Sequence, residues 1–151
     1  MNDRAFLFDT SVWVALAFER HPAHLPARAA FSRASHARPA CFCRATEQSF
    51  LRLITTPVVF RSYSAGEITN ALALEVLAKQ VANPAVGFRE EPHGLSSLWP
   101  SLASRTTVSP KVWMDAYLAA FAVKGNLTLA TLDRDFSAYE KHGLDLIVVG
   151  A

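Results

Sequence analysis

Five carboxylates interrupt otherwise apolar stretches of this chain. Asp9 follows the run Ala5–Phe8, and Glu47 comes just after Pro39–Cys43. Asp115 is the one polar residue between Val112 and Val123, and Asp133 and Asp135 close the run Leu127–Leu132. If these acids meet, they repel one another and need a counter-charge, which a divalent cation supplies. Ser11 and Thr131 are the small hydroxyls beside them, and no His or Cys stands at ligand spacing. Hard oxygen donors of this kind suit Mg²⁺, with Mn²⁺ as its substitute. One or two such ions fit phosphodiester hydrolysis, in which they activate water and stabilise the attacking and leaving oxygens.

Each acid also has a purely structural reading. Asp9 can cap the helix expected from about Val12 to Phe18, and Glu47 can meet the dipole of the helix expected over Thr46–Ile54. For Asp115, Ser109 is the natural N-cap and Pro110 the first helical residue, which puts the acid past the first turn. The helix around it is apolar on nearly all sides and is expected to be buried. A buried carboxylate must be paired, metal-bound or shifted in pKa, so the alternative for Asp115 is an internal ion pair.

The acids fall on a regular alternation of elements. Strands are expected at Ala5–Phe8, Pro39–Cys43, Ala85–Phe88, Leu127–Leu132 and Leu144–Val149. Further helices are expected over Ala23–Ser35, from a capping box at Ser64-Ala65-Gly66-Glu67 through Gln80, and over Leu95–Ala103. The Ala23–Ser35 helix should carry His24, Arg28 and Arg33 on its wet side, and Pro57 should stop the helix before it. The Glu67–Gln80 helix should bury Leu72, Val76 and Leu77. Such alternation predicts an α/β fold in three α/β/α layers, with a mainly parallel central sheet. Asp9, Glu47 and Asp133 then lie at strand carboxyl ends, the edge where open α/β sheets bind ligands.

With 151 residues, 51% hydrophobic and 19% charged, the chain suits one domain over residues 1–151 with a substantial core. No apolar run is long enough to span a bilayer, and the N-terminus lacks a secretory apolar segment, so a cytoplasmic protein without membrane contact is expected. Cys41 and Cys43 read as reduced, half-buried thiols, because a lone C-x-C lacks the second ligand pair of a zinc site. His21 and His24 read as solvated. The net charge of +2 is compatible with nucleic acid and decides nothing alone.

Three blocks carry a more specific signal: FLFDTSVWVAL at 6–16, CRATEQSFLRLITTP at 43–57 and MDAYLAAFAVKGNLTLATLDRDF at 114–136. In order and spacing they resemble the signature blocks of PIN domains, particularly VapC-type toxins of bacterial toxin–antitoxin pairs. The resemblance implies a Mg²⁺-dependent endoribonuclease, usually a homodimer, silenced by a VapB-like antitoxin. It further implies that Asp9, Glu47, Asp115 and Asp133 form the acidic quartet, with Asp135 as an additional acid and Ser11 and Thr131 at the small polar positions. Segment 58–105 carries no block of this kind. Arg44, Lys111, Arg134 and Trp13 are candidates for phosphate contact or base stacking by their nearness in sequence to the acids.

Two other classes are compatible with parts of the pattern. A strand ending in Asp9 could present an aspartyl nucleophile, as in phosphatases that form an aspartyl-phosphate, but Ser11 stands where those enzymes place a second Asp. A PIN-like fold could also serve as a non-catalytic RNA- or protein-binding module, since fold alone does not fix activity.

Overall fold

The computed structural model describes residues 2–150. Five short strands form one sheet: β1 (Phe6–Phe8), β2 (Ala40–Phe42), β3 (Val86–Phe88), β4 (Thr128–Thr131) and β5 (Asp145–Val148). Their order is β3-β2-β1-β4-β5 and every pairing is parallel. The register sets Phe6 opposite both Ala40 and Thr128, and Leu7 opposite both Cys41 and Leu129. Strand β1 is therefore central, although it comes first in the chain.

Alternation along these strands divides the core in two. Leu7, Cys41 and Leu129 face one layer, built from α6 (Leu95–Ala103), α7 (Val112–Lys124) and a 3₁₀ segment (Arg134–His142). Phe6, Phe8, Phe42 and Ala130 face the other, built from α1 (Thr10–Ala17), α2 (His24–Phe31), α3 (Arg44–Ile54), α4 (Pro57–Ser62) and α5 (Asn70–Val81). The result is the expected three-layer α/β/α architecture, and no helix among the described residues is long and apolar enough to cross a membrane. Small residues let α7 lie close on the sheet, with Ala116, Ala119, Ala120 and Ala122 all fully buried.

Several local expectations are corrected. Pro57 does not merely stop α3; it occupies the first turn of α4, where its missing N–H costs nothing. No helix starts at the Ser64–Glu67 box, because Ser64 adopts a left-handed φ of 55° and the chain stays irregular until Thr69 caps α5 through Leu72 N–H. In α5 Val76 and Leu77 pack against the core as expected, but the fully buried residue is Ala73 and Leu72 is 40% exposed. Helix α2 ends at Phe31, four residues early, and His24 is half-buried: its Nδ1 lies 2.8 Å from the Ala15 carbonyl and ties α2 to α1. His21 packs on the Tyr63 ring. Cys41 and Cys43 are free thiols, as expected, but wholly buried.

Trp13 is likewise no surface stacking platform. It is 1% exposed and stacks on Phe42 at 3.9 Å with an interplanar angle of 7°. Trp13→Ala should therefore lower stability by about 3–5 kcal/mol, the usual loss on emptying a large aromatic site. Urea unfolding of this variant against Trp13→Phe checks the expectation: the phenylalanine variant should retain most of the stability, and equal losses would mean that ring stacking contributes little.

Candidate active site

The carboxyl ends of β1 and β4 are neighbours in the sheet, so Asp9 and Asp133, far apart in sequence, come to one edge. Asp9 occupies the N-cap position of α1, yet its side chain makes no capping hydrogen bond. Its Oδ2 instead accepts from the Thr131 hydroxyl at 2.7 Å and the Ser11 hydroxyl at 3.1 Å. Those hydroxyls in turn accept from the backbone: Asp133 N–H reaches Thr131 Oγ1 at 3.0 Å, and Leu132 N–H reaches Ser11 Oγ at 3.2 Å. The two strand ends are thus laced together through the acid. Asp133 also has a structural role, accepting from Asp135 N–H at 2.9 Å to cap the 3₁₀ segment.

Asp115 enters from above on α7. The helix begins at Val112, not at Pro110, and Asp115 consequently lies in its first turn. Ser109 starts a tight turn instead, its carbonyl accepting from Val112 N–H, while its hydroxyl is engaged with Thr107. Nor is the helix buried on all sides. Trp113 and Met114 are 61% and 42% exposed, and full burial starts at Ala116. Asp115 therefore sits at the boundary between water and core.

The electrostatics follow from this placement. Burial raises the pKa of Asp9 above the ordinary aspartate value; the Thr131 and Ser11 hydroxyls oppose that rise and the charge of Asp133 adds to it. Burial likewise raises Asp115, with Lys111 acting against it and Asp133 and Asp9 adding to it. Asp133 moves the other way, because Lys111 donates to it. The three aspartates thus sense one another directly. Lys111 Nζ donates to Asp133 and to Asp135 at 3.2 Å and lies 3.6 Å from Asp115.

Glu47 stands apart from this group. It lies in the first turn of α3, beyond β2, and its carboxylate pairs with Arg44. No hydrogen bond or ion pair among the described residues links it to the aspartates. Arg44 also covers the Phe88 ring at 4.9 Å. The Asp135 carboxylate meets the group through Lys111, while its backbone N–H donates to Asp133. Arg134 is exposed and forms no ion pair among the described residues. Lys111 was recognisable only as a neighbour in sequence; the stronger signal was its spacing of four residues before Asp115, which puts both on one face of a helical turn.

For a metal, the donor chemistry fits a hard cation: carboxylates and hydroxyls, with no imidazole or thiol among them. As placed, no three His, Cys, Asp or Glu side chains among the described residues form a closed ligand set. The positive charge at this edge comes from the Lys111 ammonium. Asp9, Asp115 and Asp133 are the residues that would hold an ion once that ammonium gives way.

Comparison with known proteins agrees with the geometry. The family model of the PIN domain matches residues 6–142. Ribonuclease VapC41 of Mycobacterium tuberculosis is 40% identical over 134 residues, covering 88% of this chain and 92% of that protein. Among solved structures, Mycobacterium tuberculosis VapC20, described as a Sarcin-Ricin loop cleaving toxin, aligns with a TM-score of 0.65 at 18% identity, covering 96% of this chain and 98% of the other. VapBC2 from Rickettsia felis, bound to a DNA fragment from their promoter, aligns with a TM-score of 0.67 at 11% identity, covering 95% and 97%. At those identities the two structures speak for the fold, and the 40% relative speaks for the family. The chain belongs to the PIN-domain family and, within it, to the VapC-type ribonuclease toxins.

Proposed function

We propose that this protein is a divalent-metal-dependent endoribonuclease, cytoplasmic and built as one domain, that cleaves RNA and is neutralised by a VapB-like antitoxin. The observation that supports it best is the meeting of Asp9, Asp115 and Asp133 from three separate elements at the carboxyl edge of a parallel sheet. Asp9 is oriented by two hydroxyls, so its free oxygen has a defined direction. Asp133 is oriented by its cap to Asp135 N–H. Asp115, free of any such tie apart from Lys111, is the most adjustable of the three. Mg²⁺, or Mn²⁺ in its place, would supply the positive charge that stabilises the attacking and leaving oxygens at phosphorus. Glu47 and Asp135 complete the acidic set in this reading, Glu47 with Arg44 at the rim and Asp135 on the solvent side. The relatives favour RNA as substrate and an antitoxin as partner, and a homodimer is the assembly we assign.

The direct test is Asp115→Asn. Burial disfavours the charged form of Asp115, so the neutral amide should leave metal-free stability unchanged or raise it by less than about 1 kcal/mol. RNA cleavage should fall by about a hundredfold or more, the scale of losing one charge-stabilising group from an active site. A variant that unfolds without metal would make Asp115 a structural ion-pair partner.

Metal linkage gives a second test. An ion that binds only the folded state should raise the melting temperature in proportion to the logarithm of its concentration, with about 2.7 kcal/mol of stabilisation at a hundredfold excess over Kd. No shift with Mg²⁺ or Mn²⁺ at millimolar concentration would count against the site.

The direction of the pH effect is fixed by the raised acids. Because Asp9 and Asp115 hold protons more tightly than ordinary aspartates, their charged forms destabilise the metal-free fold near neutrality, and this penalty is relieved as pH falls through their raised values. Asp133 contributes the opposite sign: its stabilisation is present above the ordinary aspartate pKa and is lost as pH falls through its lowered value. Protons and metal compete for the raised pair, so Mn²⁺ affinity measured by calorimetry should weaken as pH falls, and the weakening should begin above the range in which ordinary aspartates titrate. An affinity that falls only within the ordinary aspartate range would show that these two acids do not bind the ion.

A further inference from the structure

Lys111 stands inside the acidic site. Its Nζ faces Oδ2 of Asp133, of Asp135 and of Asp115, three carboxylates drawn from the first turn of α7 and the start of the 3₁₀ segment. Every one of those contacts is made to the same nitrogen, as ligand oxygens are made to a metal. The side chain itself is 62% exposed, so charge and not packing keeps it there. An ammonium on a flexible four-carbon stem can leave such a position without disturbing the backbone. The other cations of the neighbourhood are not engaged with these acids, since Arg44 is paired with Glu47 and Arg134 joins no described ion pair.

A divalent ion held by Asp115 and Asp133 would use the oxygens that the ammonium now occupies. The two cations therefore compete, and a monovalent ammonium only partly offsets three carboxylates. We infer that Lys111 is a tethered stand-in for the divalent ion, holding Asp115, Asp133 and Asp135 in place until metal displaces it. This rests on the metal-dependent reading given above. In this arrangement Lys111 positions the ligands before the ion arrives, limits their mutual repulsion in its absence, and lowers the affinity of the cluster for the ion. It is a positioning residue that acts through the aspartates.

The test uses the full chain and the ion alone. Mn²⁺ binding, read by calorimetry and by the spin-resonance signal of the free ion, should be about tenfold or more tighter in Lys111→Met than in the unsubstituted protein, a coupling of ordinary allosteric size. Lys111→Arg keeps the charge and should stay close to the unsubstituted value. A merely structural lysine would give the opposite result, since its loss would loosen the site and weaken binding. In the unsubstituted protein, reductive methylation of Lys111 should speed up on addition of Mg²⁺, while the exposed Lys79, Lys124 and Lys141 keep their rates. Equal or weaker Mn²⁺ binding in Lys111→Met, or a methylation rate at Lys111 that ignores Mg²⁺, overturns the proposal. If Lys111→Met does not fold, the methylation measurement decides alone. Absence of Mn²⁺ binding in the unsubstituted protein would overturn the metal reading and this proposal with it, whereas binding unaltered by Lys111→Met would overturn this proposal only.

Discussion

Repulsion among Asp9, Asp115 and Asp133 is the constraint around which the structure is arranged. Burial at the sheet edge and mutual charge both disfavour ionisation of Asp9 and Asp115, whereas a nearby cation would favour it. The fold holds them together by force of packing elsewhere. Beneath them lie Phe8, Phe42, Phe50 and Trp13 on one face of the sheet and the alanine-rich inner side of α7 on the other, all of which exclude water. Local relief comes from three sources: the Thr131 and Ser11 hydroxyls on Asp9, the Asp135 amide on Asp133, and the Lys111 ammonium. None of these is an apolar contact, and none would be needed if the acids were absent.

The architecture was legible because apolar runs of strand length alternate with helical ones, and the runs of β1 and β4 end at Asp9 and Asp133. All five strands lie within the runs read from the sequence, and Leu95–Ala103 agrees to the residue. The errors have specific physical sources. Ser109-Pro110 carries a good helix-start signature, but its backbone closes a turn first, which moves Asp115 from the helix body to the first turn. Ser64 to Glu67 has the composition of a capping box, but a left-handed Ser64 and the following Gly66 send the chain elsewhere. Helix α4 is six residues long, too short for a periodic signal, and depends on Phe60 reaching the core. Trp13 looks like a functional aromatic only until its stacking on Phe42 is known. For the candidate site, residue types and order indicated Asp9, Asp115 and Asp133, whose charges act on one another in the fold. The sequence could not show that Lys111 also reaches Asp133 and Asp135, because the sheet brings those partners together, whereas the Arg44–Glu47 pair is a local i,i+3 contact on α3.

The position of β1 has a consequence for how such an enzyme comes into being. Among the described strands it comes first in the chain and lies in the middle of the sheet, and Asp9 is tied to Thr131 across 122 residues. A chain emerging from the ribosome can pair β1 with β2 early, but one flank of β1 and one side of Asp9 stay open until β4 and the turn after it have appeared. A nascent chain that stops before β4 lacks Asp133 and the Thr131 hydroxyl, and only Ser11 is left to orient Asp9. The acids of this sheet edge can therefore meet only after β4 has been made, so their mutual repulsion arises late in synthesis, when most of the core that must withstand it is already present.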